Sequence, residues 1–266
     1  MTYIYTVASL NINGIANDSR IRMLEYFLWT NDIDIAVLQE VTGPHLVSIR
    51  RYTKHANIGT ERRGTAILTK DGLILTDVRC LPSGRGIAAM YNGTCRVNLY
   101  APSGAGRKEE REGFYNVDVP YLLPATQTGV ILAGDFNCLL SHSDTTGQRN
   151  YSRAIDNLMT GLYLYDIVGT TSTRPMFTHY TPTGTSRLDR IYISPKLQWK
   201  KQRVETIVAA FTDHLAMESS YPIPMYGGGL WRMNTTLLDG AGFRQLLQGK
   251  WGFWRTQKKY YPTTMM

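Results

Sequence analysis

Several short apolar runs in this chain hand over to residue types that bind cations or move protons. Residues 5–10 lead into Asn11, and residues 35–38 lead into Gln39 and Glu40. Residues 97–99 lead into Tyr100, and 130–134 into Asp135 and Asn137. Residues 204–211 are followed by Thr212, Asp213 and His214. Strands laid side by side would collect these groups at one mouth. Carboxylates gathered there repel one another and need a cation or a shared proton. Carboxylate and amide oxygens suit Mg²⁺ or Mn²⁺ better than zinc. A histidine beside them can act as a general acid or as a charge-stabilising donor. Metal, base and imidazole together suit hydrolysis of a phosphate ester, where charge must be stabilised on phosphoryl oxygens.

Taken singly, Glu40, Asp135 and the Asp213–His214 pair read more readily as turn residues after apolar strands, and Tyr100 as a packing residue. Asp189 is different: it falls within a strand-like run, where aspartate is disfavoured. It needs a partner there, and a histidine is a good one. The joint occurrence carries the inference.

The elements that would position these groups follow from periodicity. Strands are expected at 3–10, 33–38, 64–69, 73–80, 86–91, 95–100, 128–133, 174–181, 186–193 and 203–210. Ile21, Leu24 and Leu28 recur at helical spacing, with Asp18 or Ser19 as the expected cap. One helix is expected within 106–123, ending before Pro124, and another over 152–162. Many strands with few helices predict an α/β fold of two packed mixed sheets flanked by helices. A parallel α/β sheet is the alternative, against which the consecutive strands between 64 and 100 argue. The Pro- and Gly-rich stretch 221–229 marks a boundary. It predicts a globular domain over 1–222 and an aromatic, basic tail over 223–266.

Composition narrows the classes. With 43% apolar and 11% aromatic residues in 266, the chain can bury a large core. Cys80, Cys95 and Cys138 are widely spaced, with no CxxC or Cys/His cluster, so neither a disulfide framework nor a zinc site is expected. The N-terminal residues lack the features of a signal peptide, and no apolar run approaches the roughly 18 residues of a membrane span. The net charge of +8 favours a polyanionic partner, but residues 226–266 carry +5 of it.

Residues 10–14, 38–41, 63–67, 98–102, 134–137, 186–191 and 212–214 supply seven motifs in one order. Together the chain resembles the endonuclease/exonuclease/phosphatase superfamily. It most closely resembles the apurinic-endonuclease-like domain of LINE-type (non-LTR) retrotransposons. The resemblance implies a four-layer α/β sandwich. It also implies Glu40 as principal metal ligand, assisted by Asn11 and Asp213, with Mg²⁺ as the cofactor and Mn²⁺ as a substitute. Asp135 would orient or deprotonate the attacking water, and Asn137 would hold the scissile phosphate. His214, buttressed by Asp189, would stabilise the transition state, and Tyr100 would contact the phosphate or assist the leaving oxygen. Two positions depart from the pattern: Ser103 stands where many relatives have Asn, and Asn13 where repair enzymes often have Asp.

The implied substrate is double-stranded DNA, nicked to leave a 3′-hydroxyl that a reverse transcriptase domain of the same polyprotein extends. The tail segment 231–238 is similar to the stretch that follows the endonuclease in LINE polyproteins. Residues 177–186 predict a hairpin shaped by Pro182 and Gly184. In the retrotransposon enzymes the comparable loop reaches into the target, which makes Tyr180, Thr183, Thr185 and Ser186 candidate DNA contacts. Arg107 and the Arg62–Arg63 pair are candidate backbone contacts, and Arg187 reads as structural. A nuclear site of action and a monomeric isolated domain complete the expectation. The alternatives are an abasic-site repair endonuclease and an inactive nucleic-acid-binding relative.

Overall fold

The computed structural model describes residues 2–224 except 15–16, 43–45, 47, 61–62, 125–128, 148–150, 169–175 and 199–202, together with three isolated positions beyond 224. The expectations for the tail, including the segment 231–238, lie outside the described residues, as does Arg62. Residues 2–223 form one compact unit.

The first sheet is built from β1 (Thr2–Asn11), β2 (Ile35–Val41), β3 (Tyr52–Ile58) and β4 (Gly64–Lys70), joined later in the chain by β13 (Arg203–Val208) and β14 (Leu215–Pro224). Its order is β13-β14-β1-β2-β4-β3. The second is built from β5 (Thr76–Cys80), β6 (Gly86–Tyr91), β7 (Thr94–Tyr100), β8 (Gly129–Asp135), β9 (Tyr165–Asp166) and β12 (Asp189–Ile193), in the order β5-β6-β7-β8-β12-β9. Strands β10 (His179–Thr181) and β11 (Gly184–Ser186) form a separate hairpin.

Each sheet contains a parallel pair joined through helix. In the first, β1 and β2 are linked by α1 (Asp18–Thr30). In the second, β7 and β8 are linked by α2 (Lys108–Gly113), a π-helical turn (Phe114–Asp118) and α3 (Val119–Leu122). Short helices α4 (Arg153–Gly161) and α5 (Pro195–Gln198) complete the set. Ile21, Leu24, Phe27 and Leu28 of α1 bury against Ala8, Leu10, Ala36 and Leu38. Phe114, Tyr115, Val119 and Leu122 bury against Val97, Leu99, Val130 and Leu132. The opposite faces of the sheets meet through Tyr5, Val7, Ile35, Val37, Ile131, Ala133, Ile191 and Ile193. This is the expected sandwich, with mixed rather than all-parallel sheets.

Local boundaries differ from expectation for physical reasons. Asn17, not Asp18 or Ser19, caps α1, its side chain accepting from the Arg20 amide at 3.0 Å. The expected single helix over 106–123 contains a π turn just before Pro120. Proline has no amide hydrogen to give and its ring crowds the preceding turn, which a wider turn relieves. The strand expected at 73–80 starts only at Thr76, because a turn bonded from the Leu73 amide to the Lys70 carbonyl (3.0 Å) uses up the first residues. The run 186–193 divides into β11 and β12, since the amides of Leu188 and Asp189 both donate to the Thr178 hydroxyl instead of a neighbouring strand. The strands β3 and β14 were not expected. The first is a polar sheet edge carrying Lys54 and His55, and the second carries Glu218, Ser219, Ser220 and Pro222. Neither has the apolar signature on which periodicity relies.

Candidate active site

Strand alternation decides which side chains face the space between the sheets. Along β1 these are Tyr5, Val7, Ser9 and Asn11; along β2, Ile35, Val37 and Gln39; along β8, Ile131, Ala133 and Asp135. The inter-sheet face is therefore apolar at one end and polar at the other. Just beneath the polar mouth, Gln39 Nε2 donates to Asn98 Oδ1 at 2.7 Å and to Ser9 Oγ at 3.2 Å. Asn98 Nδ2 donates to the carbonyls of Leu38 (2.8 Å) and Ala66 (2.9 Å). This buried polar layer ties the two sheets together where the chemistry begins.

Strands β1 and β8, each from the parallel pair of its own sheet, end in the same device. The Asn11 carboxamide oxygen accepts from the Asn13 amide at 2.9 Å, and the Asp135 Oδ1 accepts from the Asn137 amide at 2.9 Å. In each turn the third residue is an asparagine at positive φ, 46° for Asn13 and 47° for Asn137, a conformation asparagine tolerates. The middle residues, Ile12 and Phe136, are fully buried. Each turn thus anchors itself in a core while fixing the polar side chain before it.

Glu40 reaches the mouth by a different route. By alternation it would point towards α1, but β2 carries an irregularity between Gln39 and Val41, and Glu40 sits at φ 55°. The bulge turns its carboxylate back to the mouth, a familiar use of this irregularity. There Oε1 accepts from Tyr100 Oη at 3.1 Å and from Asn11 Nδ2 at 3.2 Å. Oε2 pairs with the Arg63 guanidinium.

Asp135 and Asp189 are direct cross-strand partners on β8 and β12, and Tyr100 is the partner of Asp135 on β7. Asp189 is the first residue of its strand rather than an interior one. Asp135 Oδ2 accepts from Asn11 Nδ2 at 2.8 Å, so Asn11 bridges Asp135 and Glu40. Asp189 Oδ2 pairs with His214 Nδ1 at 2.8 Å, both side chains buried. Asp189 Oδ1 is buried with no hydrogen-bond partner among the described residues. Burial pushes the Asp135 carboxyl up to about 7, assisted by the charge of Asp189 and opposed by His214. Burial would lower the His214 imidazole, but Asp189 first, then Asp135 and Asp213, outweigh it and bring it to about 10.

Of the residues expected from sequence, Asn11, Glu40, Tyr100, Asp135, Asn137, Asp189, Asp213 and His214 all come to this mouth. Asp213 lies at its rim, where Asn13 Nδ2 donates to it at 3.3 Å. Arg107 lies apart in a short 3-10 turn and its guanidinium donates to Glu110 Oε1 at 2.6 Å. The hairpin stands beside the mouth: the Tyr180 amide donates to the Asp213 carbonyl at 3.2 Å, and the Leu215 amide to the Thr178 carbonyl at 2.7 Å. Tyr180 is exposed at its edge, and Thr183 at its tip. Thr185 and Ser186 are tied to the neighbouring loop, Thr185 through Thr146 Oγ1 at 3.1 Å and Ser186 through Thr145 Oγ1 at 3.2 Å. Arg187 is structural as expected, pairing with Asp166, while Arg190 joins Asp166 to Asp144 at 2.9 and 2.6 Å.

Four contributors received no role from the sequence, although Gln39 stood among the strand-end residues. Thr178 holds the Asp189 amide at 3.0 Å, Gln39 and Asn98 supply the polar layer, and His179 stands 4.5 Å from His214 between ring centroids. His179 Nε2 lies 3.4 Å from Asp213 Oδ2. A histidine inside the hairpin segment was the one available signal for the last. Nothing in the spacing marks Thr178, or the layer that Gln39 and Asn98 build together.

A two-sheet sandwich with carboxylates, an amide and a paired imidazole at one end defines a class of phosphoesterases. The profile of the Endonuclease/Exonuclease/phosphatase family matches residues 8–214, and the chain belongs to that family. The family is generally divalent-metal dependent, and acidic and histidine groups able to hold an ion gather at this mouth. The chain is 25% identical over 291 residues to the transposon TX1 uncharacterized 149 kDa protein of Xenopus laevis, covering 97% of this chain and 21% of that protein. The chain thus spans about a fifth of that relative. Its fold matches that of an AP endonuclease from Archaeoglobus fulgidus with a TM-score of 0.69 at 19% identity, covering 82% of this chain and 99% of the other. A 3′ phosphatase, NExo, from Neisseria, bound to product DNA hairpin, matches with a TM-score of 0.68 at 17% identity, over 82% and 99% of the two chains.

Proposed function

We propose that this chain is a divalent-metal-dependent DNA endonuclease. It nicks one strand of a target duplex and leaves a 3′-hydroxyl for the reverse transcriptase domain of the same polyprotein to extend during retrotransposition. The observation that carries this reading is the linked set Glu40–Asn11–Asp135 beside Asp189–His214, assembled from both sheets at one mouth. Likeness to a transposon protein along 97% of the chain supports the retrotransposon setting. The module acts in the nucleus and as a monomer in this reading.

The donors present fit a hard cation. Glu40, Asp135 and Asp213 offer carboxylate oxygens, and the buried Asp189 Oδ1 beside them has no hydrogen-bond partner among the described residues. Glu40 with Asp213 would hold Mg²⁺, or Mn²⁺ in its place. Asn11 steadies Glu40 and Asp135 through its Nδ2, its oxygen being taken by the Asn13 amide. The bound ion supplies charge neutralisation at the phosphoryl oxygens. The chain supplies the rest. Asp135, with its carboxyl raised to about 7, takes the proton of the attacking water near neutral pH. His214 holds its imidazolium charge towards the phosphate, and Asp189 fixes the ring by its Nδ1 bond. Asn137 and Tyr100 flank the phosphate. The hairpin, through Tyr180 and Thr183, and Arg107 contact the duplex.

The test is relaxation of supercoiled plasmid with Mg²⁺. Nicking should stop with EDTA and fall by at least ~10²-fold in Asp135→Asn, and the nicks should be extendable by a polymerase. Nicking that persists in both conditions would overturn the reading. Strong preference for an abasic oligonucleotide over undamaged plasmid would move the assignment to a repair endonuclease.

A further inference from the structure

We infer that His179, Asp213 and His214 form a second, inhibitory ion site for a zinc-type transition metal, distinct in chemistry from the oxygen site at Glu40. The three residues can each present a ligand atom within 4.8 Å of the others. The His179 Nε2 to Asp213 Oδ2 separation is 3.4 Å, long for a hydrogen bond. It is close to the spacing of two ligands on a tetrahedral zinc, which at ~2.0–2.1 Å from the ion lie roughly 3.3 Å apart. The Asp189 bond to His214 Nδ1 leaves Nε2 as the ring's remaining ligand atom. A carboxylate behind a histidine is the usual way a metal-binding imidazole is oriented. Backbone pairing of His179 with His214 fixes the two rings opposite one another. Two imidazoles and one carboxylate suit zinc, cobalt or copper better than magnesium.

Binding exchanges the Nε2 proton of His214 for the ion, and the proton passes to solvent. The imidazolium needed at the phosphate is then gone, and Asp213 is shared away from the mouth. The site therefore acts as a brake: micromolar transition metal stops the reaction that Mg²⁺ supports. The inhibitory consequence rests on the nuclease reading above, whereas ion binding itself does not.

The probe is Co²⁺, whose visible absorption reports four- or five-coordinate sites, added to the metal-free chain in a Cys80→Ser background because Cys80 is an exposed thiol. One equivalent should bind, be displaced by Zn²⁺, and raise the melting temperature. His179→Phe keeps a flat ring against His214 and should melt at the same temperature without metal while losing the absorption and the metal-induced rise. His179→Gln should keep the metal-free melting temperature and show only a weakened absorption and a smaller metal-induced rise. In plasmid nicking, with each chain referred to its own rate in Mg²⁺ alone, His179→Phe should need at least ~10-fold more Zn²⁺ than the unsubstituted chain for half-inhibition. The same Co²⁺ spectrum in His179→Phe, or equal Zn²⁺ sensitivity, would overturn the site. His179-dependent Co²⁺ binding by a chain that nicks nothing would leave the ion site standing and remove the nuclease reading instead.

Discussion

Asp189 shows how one side chain governs another's chemistry. Its carboxylate is buried, accepts from His214 at 2.8 Å and keeps that imidazole charged up to about 10. In the proposed reaction, two limbs of the pH profile follow. Asp135 must be ionised to accept a proton, so activity rises as pH climbs through about 7, lower when the ion is bound. His214 must stay protonated, so activity falls as pH rises through about 10. Because the groups face one another, each limb belongs to the cluster rather than to one residue. In Asp189→Asn the alkaline limb should move down by about 1–3 units, and the plateau rate should fall by as much as ~10⁴-fold through loss of ring orientation. An alkaline limb that stays in place would show that Asp189 does not hold the proton on His214. The same shifts bear on stability. In the folded chain both groups bind protons more tightly than when unfolded. Stability contributed by His214 is fully present below its unfolded value near 6.5 and is lost as pH rises through about 10. For Asp135 the folded state is favoured when protonated, and that preference is lost as pH rises through about 7.

The elements explain what could be read in advance and what could not. Ends of apolar strands revealed Asn11, Tyr100 and Asp135, because β1, β7 and β8 all finish at the mouth. Asp189 and His214 come from strands entering there, so Asp189 read as misplaced within a strand when it starts one. The bulge that swings Glu40 inward leaves no trace in periodicity, and Thr178 is fixed by a side-chain bond that no spacing encodes. The Gly134 requirement is visible only in three dimensions. At φ 145° its α-carbon lies so near β7 that an added Cβ would sit 2.0 Å from the Leu99 carbonyl oxygen. Gly134→Ala should therefore cost about 2–4 kcal/mol or more, measured as a lower urea midpoint, since backbone must move just before Asp135. An unchanged midpoint would refute that close approach. The hairpin is a different kind of element. Thr185 and Ser186 dock its second strand on Thr146 and Thr145, leaving the Pro182–Thr183 turn to project. Replacing residues 181–184 with a short Gly-Ser turn should alter the positions nicked more than the rate, mapped by primer extension. An unaltered nick map would remove the hairpin from target choice.

At the scale of the molecule, the mouth exists only because two sheets close over a shared core, each contributing one half of the site. Charge is distributed otherwise. Of the net +8, residues 226–266 carry +5 and the rest of the chain only +3. The chemistry and the long-range attraction for a polyanion thus lie in different parts of the sequence. Each phosphate contact releases condensed counterions and steepens the fall of affinity with salt by about 0.9 in the log–log slope. Removal of residues 225–266 should leave metal-dependent nicking at saturating DNA within a few-fold of the full chain, because residues 2–223 hold every group of the mouth in one compact unit. Affinity for undamaged duplex should drop and its salt slope flatten, by up to about five if all the net tail charge meets phosphate. Binding measured by fluorescence anisotropy across salt concentrations reads both quantities. If the slope is unchanged in the shortened chain, the tail's positive charge does not face DNA, and the sandwich must hold the duplex through its own rim.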